Sequence, residues 1–360
     1  MSSPRRQFIK QVAVAGGAAL VAPQIAFAQS PAKKLGVALV GLGYYSTDVL
    51  APALAQAQHC YLAGIVTGSP EKAAAWQKKY QIPEKNTYNY QNFDQIASNP
   101  AIDVVYVVLP PSMHREYVVR AAKAGKHVWC EKPMAPTVAD CQAMIDACRQ
   151  ANRQLAIGYR CQHDPNTQEL IKLRQAQKFG KVRLVSSHAG YFDGRSGHWK
   201  QQKAMGGGAM YDMGVYALQG ARYATGEEPV AVLAQQHTTR PQIYTEVDET
   251  TLFQLEFPSG AMANCDTSFG MSMNYLYVTC EKGWIKLEPF QSYGGLSGTT
   301  SGGQVINFPV ANQQALQMDN DAQSIINNRP PLVPGEEGLR DIRVVEAIYR
   351  SAREGKRVVI

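Results

Sequence analysis

The chain has no CxxC pair and no cysteine–histidine cluster at zinc-binding spacing, which argues against structural-zinc and dithiol-redox classes. Its seven cysteines (60, 130, 141, 148, 161, 265 and 280) are an odd number. Cys141 and Cys148 share a helix face with Met144 and Ile145, a core-packing pattern, and disulfide pairing in an oxidising compartment stays open. No basic run interleaves with aromatic residues, so nothing marks a nucleic-acid surface. Internal repeats are absent as well. Charged residues make up only 18% of the chain and hydrophobic ones 45%, the balance of a soluble globular protein. At 360 residues there is material for two cores.

What is present begins with an address. Ser3-Pro4-Arg5-Arg6-Gln7-Phe8-Ile9-Lys10 resembles a twin-arginine export signal. The apolar stretch from Val12 to Ala22 is short for a membrane span, which needs roughly 20 apolar residues, and Ala26-Phe27-Ala28 offers a small-x-small cleavage site. Residues 1–28 therefore read as a removable signal, 29–34 as a short arm, and the mature protein as periplasmic and exported folded. Loss of Arg5, Arg6 and Lys10 takes the formal charge from +7 to +4.

From 35 to 158 short β-branched runs alternate with helical segments, the grammar of a parallel sheet covered on both faces. Strands are expected at Leu35–Val40, Tyr61–Val66, Asp103–Val108, His127–Cys130 and Leu155–Ile157, and helices at Glu71–Tyr80 and Ser112–Ala124. Thr137 and Asp140 suggest a capping box opening another helix. Beyond residue 165, runs at Val182–Ala189, Thr250–Phe257, Ala261–Thr267 and Leu276–Cys280, with tight turns between some of them, suggest a largely antiparallel sheet. Gly294–Gly303 reads as a long loop. Leu339, Ile342, Val345, Tyr349 and Ala352 predict a final amphipathic helix ending at Gly355. The fold class is thus α/β: a Rossmann domain (35–158) followed by an α+β domain (159–360) with an open, mostly antiparallel sheet.

Gly41-Leu42-Gly43-Tyr44-Tyr45-Ser46 follows the first strand directly. Its first glycine permits a tight turn and its second lets backbone N–H groups approach a pyrophosphate, with Ser46 where a third glycine is usual. At the end of the second strand stand Thr67 and Ser69, with Lys72 opening the next helix, and no carboxylate. Hydroxyls and a cation suit a 2′-phosphate, so NADP is expected in preference to NAD. Cys130-Glu131-Lys132-Pro133 closes another strand at the edge where ligands collect. A flexible glycine run, Gly206-Gly207-Gly208, leads into a helix-like segment whose Asp212 and Tyr216 lie four apart on one face. Lys132, Asp212 and Tyr216 form a candidate acid/base set for a sugar, the lysine charge lowering the phenol pKa.

These segments, together with Gly158-Tyr159-Arg160-Cys161, Arg222-Tyr223, Gly226-Glu227-Glu228-Pro229 and Pro334-Gly335-Glu336-Glu337-Gly338, resemble the glucose-fructose oxidoreductase, inositol dehydrogenase and MocA family, most closely its glucose-fructose branch. The resemblance spans nearly the whole mature chain. It implies that Lys132 is catalytic with a cis bond to Pro133, that Asp212 binds substrate hydroxyls, and that Tyr216 occupies the last catalytic position. It also implies that Thr67 and Lys72 touch the 2′-phosphate and that Arg160, Trp199 and Tyr293 lie near the cofactor. Tyr44, Tyr45, Leu109, His114 and Glu131 complete the candidate cofactor contacts. The chain departs from that pattern in its short arm, in Pro111, in Lys200, and in a shorter stretch from Asp193 to Met205.

The implied activity is oxidation of an aldose at C1 to the lactone, with hydride passed through tightly bound NADP to a second sugar. Alternatives are an aldose dehydrogenase with exchangeable NADP, a redox-type NAD-dependent glycosidase, and a non-catalytic sugar-binding protein. The expected partners are a small sugar or polyol and a second copy of the chain, as a homodimer or homotetramer through the C-terminal sheet. No metal, nucleic acid or, after processing, membrane is expected.

Overall fold

Leu35–Val40 forms β1, and all six of its residues are buried. A strand buried on both faces reads as a continuous apolar run, and Leu39→Ala at its centre should cost about 2–5 kcal/mol. The computed structural model describes residues 34–360; the expected export signal and nearly all of the expected arm lie outside the described residues.

β1 is the third of six parallel strands. The others are β2 (Cys60–Val66), β3 (Thr87–Tyr88), β4 (Val104–Val107), β5 (His127–Cys130) and β6 (Leu155–Ile157), in the order β3-β2-β1-β4-β5-β6. Strand order reverses between β1 and β4, so their carboxyl ends open a crevice there. One face of the sheet is covered by α1 (Ala51–Gln56) and α2 (Pro70–Tyr80), the other by α3 (Pro111–Lys123) and α4 (Val138–Gln150). Thr137 caps α4 by accepting from the Asp140 amide at 3.1 Å, while its hydroxyl donates to the Asp140 carboxylate at 2.7 Å. That geometry is an N-cap supported from its own first turn.

After β6 come α5 (Arg160–His163) and α6 (Pro165–Gln175), then β7 (Val182–Gly190), α7 (Val215–Thr225), β8 (Ala231–His237), β9 (Thr250–Glu256), β10 (Met262–Ser268), β11 (Met273–Cys280) and β12 (Gly283–Leu287). β13 (Gly298–Thr300), β14 (Val305–Ile306), α8 (Gln313–Ile326), α9 (Gly335–Glu354) and β15 (Val358–Val359) complete the chain. The second sheet has nine strands in the order β14-β13-β12-β11-β7-β10-β9-β8-β15. Every pair is antiparallel except β7 with β10. The expected loop at 294–303 contains β13: Gly298 pairs with Leu287 so closely that a Cβ would lie 2.0 Å from the Lys286 carbonyl oxygen.

α7 and α9 pack on one face of this sheet, tied together by buried Arg222, which reaches Glu337 at 2.8 Å and Asp341 at 2.5 Å. The opposite face leaves Leu184, Leu233, Leu252, Met262 and Tyr275 exposed. α9 ends at Gly355, whose φ of +62° makes the left-handed cap. Helices from beyond residue 159 also cover the first sheet: Ala315, Met318 and Ala322 of α8 pack with β1, β2 and α1, and Leu339 and Ile342 of α9 pack with α4. All seven cysteines are buried and free, so their role is packing.

Candidate active site

The crevice is a cleft of about 580 Å³. Its first wall starts where β1 ends. Gly41 has φ +91°, and a Cβ there would lie 2.5 Å from the Val108 carbonyl oxygen, so only glycine passes between β1 and β4. A Cβ on Gly43 would meet nothing within 4 Å. The backbone there faces open cleft, as a pyrophosphate cradle requires. Ser46 is buried and donates to the Gly41 carbonyl at 2.6 Å, so its hydroxyl ties the turn back on itself where a third glycine was expected. The helix then opens with a π-turn, Tyr45–Leu50, before α1. Tyr44 is exposed at the rim, and the Tyr45 ring lies 6.1 Å from that of Tyr293.

At the end of β2, Thr67 Oγ1 accepts from the Ser69 amide at 3.2 Å, and Ser69 Oγ accepts from the Lys72 amide at 3.2 Å as the N-cap of α2. Lys72 Nζ donates to the Leu42 carbonyl at 3.1 Å and so hangs over the glycine turn. All three residues line the cleft; among its described lining residues the only carboxylates are Glu131 and Asp212.

β5 delivers Glu131 and Lys132 to the middle of the cleft, and the Lys132–Pro133 peptide is cis as expected. Glu131 accepts from the Tyr106 hydroxyl at 2.6 Å and from the Lys132 amide at 3.3 Å. Burial raises its pKa to about 6, with Tyr106, Lys132 and Arg160 opposing. Gly158 leaves the room: a Cβ there would lie 2.7 Å from Glu131 Oε1. His114 stands behind the wall, not in it. Fully buried, it places Nε2 2.7 Å from the Leu109 carbonyl and Nδ1 3.1 Å from those of Pro133 and Met134, and so braces both rim loops.

The second wall comes from the segments between β7 and α7 and is made of side chains, which Lys132 meets from the end of β5. Lys132 Nζ donates to the Asp212 carbonyl at 2.6 Å and lies 3.4 Å from Asp212 Oδ1. Asp212 Oδ2 also accepts from Lys200 at 2.7 Å and from the Tyr191 hydroxyl at 3.1 Å. Burial alone would raise the Asp212 pKa, but Lys200 and then Lys132 outweigh it and hold the carboxyl well below the usual range. Arg195, itself held by Asp193 at 2.8 Å, donates to Tyr191 at 3.3 Å.

Asp212 and Tyr216 do not share a simple α-helical face, because Met210–Gly214 is a π-turn and α7 begins after it. Asp212 faces the cleft. Tyr216 is buried beneath it, and its hydroxyl has no hydrogen-bond partner among the described residues. Lys132 Nζ sits 4.8 Å from the Tyr216 ring centroid, over the face of the ring. Burial accordingly pushes the phenol pKa up; the opposing cation is Arg160, so the expected lowering by lysine is not the outcome. Arg160 lies outside the cleft lining, fixed by the Gln291 and Ser292 carbonyls and by Gln313, with its guanidinium 4.4 Å from the Tyr293 ring and 5.4 Å from the Tyr216 ring. Leu109, Trp199 and Tyr293 line the cleft.

The glycine run is packed rather than flexible. A Cβ on Gly207 would lie 2.4 Å from the Lys200 carbonyl oxygen, and one on Gly208 would lie 2.3 Å from Asp248 Oδ1. Sequence reasoning did not find Tyr191, Arg195 and His198, and it registered Lys200 only as a departure. The one available signal was the density of Arg, His, Trp and Lys between Asp193 and Lys200.

Two family descriptions match the chain: "Oxidoreductase family, NAD-binding Rossmann fold" over residues 35–159, and "GFO/IDH/MocA C-terminal domain" over residues 167–286. The chain is 45% identical to an aldose-aldose oxidoreductase from Caulobacter crescentus whose crystal structure contains glycerol. That similarity has a TM-score of 0.88 and covers 91% of this chain and all of that one. It is 27% identical over 327 residues to the D-xylose 1-dehydrogenase [NADP(+)] of Haloarcula marismortui, covering 88% of this chain and 90% of that protein. A probable dehydrogenase from Thermotoga maritima shares the fold, with a TM-score of 0.76 at 23% identity, covering 90% of this chain and 98% of that one.

Proposed function

Because the chain belongs to the GFO/IDH/MocA oxidoreductase family, we propose that it is an NADP-dependent sugar oxidoreductase that oxidises an aldose at C1 to the lactone and returns the hydride to a second sugar. The observation that carries this reading is the position of Lys132. Its ammonium stands between the Asp212 carboxylate and the Tyr216 ring, in the same cleft that the glycine turn lines.

The dinucleotide would lie along Gly41, Gly43, Thr67 and Lys72, with Leu109, Glu131 and Tyr293 toward its nicotinamide end; when bound, it supplies the hydride acceptor. The chain does the rest. Lys132 and Lys200 keep Asp212 ionised as an acceptor for sugar hydroxyls, and Lys132 polarises the oxygen that loses its proton. Tyr216, beneath Lys132, takes that proton as the phenolate, so its own hydroxyl proton must first leave against the pKa rise that burial imposes. C1 of the aldose gives up a hydride and its hydroxyl a proton, which leaves the lactone. Lys72 above the turn and the lack of a carboxylate beside Thr67 favour NADP over NAD.

The twin-arginine-like N-terminus supports export of the folded protein with its coenzyme already bound, and hence recycling on the enzyme. The exposed apolar row Leu184, Leu233, Leu252 and Met262 supports a homodimer or homotetramer through the second sheet. A dehydrogenase with exchangeable NADP is the second reading, favoured by the similarity to the D-xylose 1-dehydrogenase.

The test is the near-ultraviolet spectrum of the purified protein before and after a panel of aldoses, followed by ketoses. Growth of the reduced-nicotinamide band with an aldose and its loss with a second sugar, without added coenzyme, is the expected result. Turnover only with added NADP selects the second reading. Absence of any aldose-dependent change, with or without NADP, rejects both.

A further inference from the structure

α8 carries a polar buried face, and three of its glutamines each reach a residue of the cofactor side. Gln313 accepts from Arg160, Gln314 donates to the Tyr45 hydroxyl at 3.4 Å, and Gln317 donates to the Tyr106 hydroxyl at 3.2 Å. Tyr106 in turn donates to Glu131 at 2.6 Å. One turn beyond Gln317 stands Asp321, 1% exposed, with neither carboxyl oxygen hydrogen-bonded among the described residues. The side chain within reach of it is Gln317, whose own Oε1 also lacks a donor. Both Asp321 oxygens and Gln317 Oε1 are thus buried acceptors without a donor on one face of α8. An ionised carboxylate left there without a donor would be costly, whereas a proton between the two satisfies both.

We propose that α8 is part of the active site: Asp321 is a neutral acid that donates to Gln317, and the line Asp321–Gln317–Tyr106–Glu131 positions Glu131 beside Lys132 and sets its charge. Every donor in the line points the same way, toward Glu131. The other groups facing Glu131 are Cys130 and Lys132 beside it in sequence, Arg160 from α5, Tyr45 from the glycine turn, Tyr293 from the cleft lining and Tyr216 from beneath it. Asp321 is faced by Gln317 and, from β2, by Cys60, with Asp319 and Lys34 near that thiol. Gln317 and Asp321 are positioning residues, since neither lines the cleft. A negative Glu131 on the cleft wall favours an oxidised, cationic nicotinamide over the neutral reduced ring. The line therefore biases the oxidation state of the coenzyme that the proposed function requires, and in that respect it rests on that reading.

The test is difference infrared spectroscopy of the full chain without added coenzyme, following protonated carboxyl groups across pH. One protonated carboxyl band should persist above pH 7 and vanish in Asp321→Asn. A second should titrate near the Glu131 value of about 6 and vanish in Glu131→Gln. Its midpoint should rise by ~1 pH unit in Tyr106→Phe and by roughly half a unit in Gln317→Met and Asp321→Leu. Asp321→Asn should leave it in place, because an amide N–H donates to Gln317 as the acid does, and this isosteric variant keeps the test available if Asp321→Leu does not fold. In parallel, the fraction of bound nicotinamide reduced by a fixed aldose–lactone mixture should shift in Gln317→Met and stay unchanged in Asp321→Asn. An unmoved Glu131 midpoint in folded Gln317→Met, or no persistent band assignable to Asp321, overturns the proposal. A protein that shows the infrared shifts but binds no dinucleotide would instead contradict the proposed function while leaving the line intact.

Discussion

On the Gly41 side of the cleft the strand ends present backbone: a left-handed glycine, free N–H groups, and carbonyls at the tips of β1 and β4. On the Asp212 side the cleft presents side chains, Tyr191, Arg195 and Lys200 from the segment after β7 and Lys132 reaching over from the end of β5, held in place by the carboxylates they pair with. The first wall is shaped by what is missing, a Cβ at Gly41 and at Gly43. The second is shaped by charges that stabilise one another. A backbone wall should tolerate loss of side chains and be damaged by small additions; an ion-paired wall should respond the other way round.

The largest effect that would sharpen this contrast is expected where Lys132 meets the Asp212 wall. Lys132→Met should lower turnover by about 10³-fold while leaving dinucleotide affinity nearly unchanged, because it removes the charge at the reacting oxygen. Steady-state rates and a dinucleotide titration on the same sample check it. On the first wall, Gly41→Ala adds one methyl 2.5 Å from the Val108 carbonyl oxygen and should weaken dinucleotide binding by about 10²-fold. Isothermal titration would read this, and wild-type affinity in that variant would mean the turn does not cradle the coenzyme.

A smaller effect is expected from losing a side chain on that same wall. Lys72→Ala should cost about 1–2 kcal/mol, roughly tenfold, in NADP binding, and almost nothing in NAD binding. Equal losses for the two coenzymes would remove the 2′-phosphate assignment. The smallest effect concerns pH. The folded pKa of Asp212 is depressed, so its stabilising contribution is complete above the unfolded carboxylate value and is lost only as pH falls through the lower folded value. The stability difference between wild type and Asp212→Asn should therefore stay flat from pH 8 to pH 5 in denaturant titrations, and a slope in that window would break the ion-paired picture.

The two regions also differed in how far they could be read from sequence. β1, β5 and β6 fall on the expected residues, and β2 and β4 lie within one residue of the expected bounds at each end, because parallel strands buried on both faces are continuous apolar runs. The Gly41 turn was legible for the same reason, as its context is local. β3 was not: two residues, Thr87–Tyr88, carry no periodicity. α8 was hidden because its buried face contains Gln313, Gln314, Gln317 and Asp321, which look like a solvated surface. Tyr191 and Lys200 converge on Asp212 only through the pairing of β7 in the second sheet and the packing of the loop that follows it. No spacing rule in the sequence encodes that approach. The apparent flexibility of Gly206–Gly208 failed similarly, since it is the neighbouring Lys200 carbonyl and Asp248 that require those glycines.

The central claim is a division of labour: one wall holds the dinucleotide and the other performs the proton and hydride chemistry. Its most direct test pairs Gly41→Ala with Lys132→Met, measuring for each both dinucleotide affinity and the single-turnover rate at which an aldose reduces saturating bound coenzyme. The predicted result is a crossed pattern. Gly41→Ala loses affinity and keeps its single-turnover rate within about tenfold, while Lys132→Met keeps affinity within about threefold and loses the rate by about 10³-fold. If affinity and rate fall together in both variants, the two walls are not separate devices and the account is contradicted.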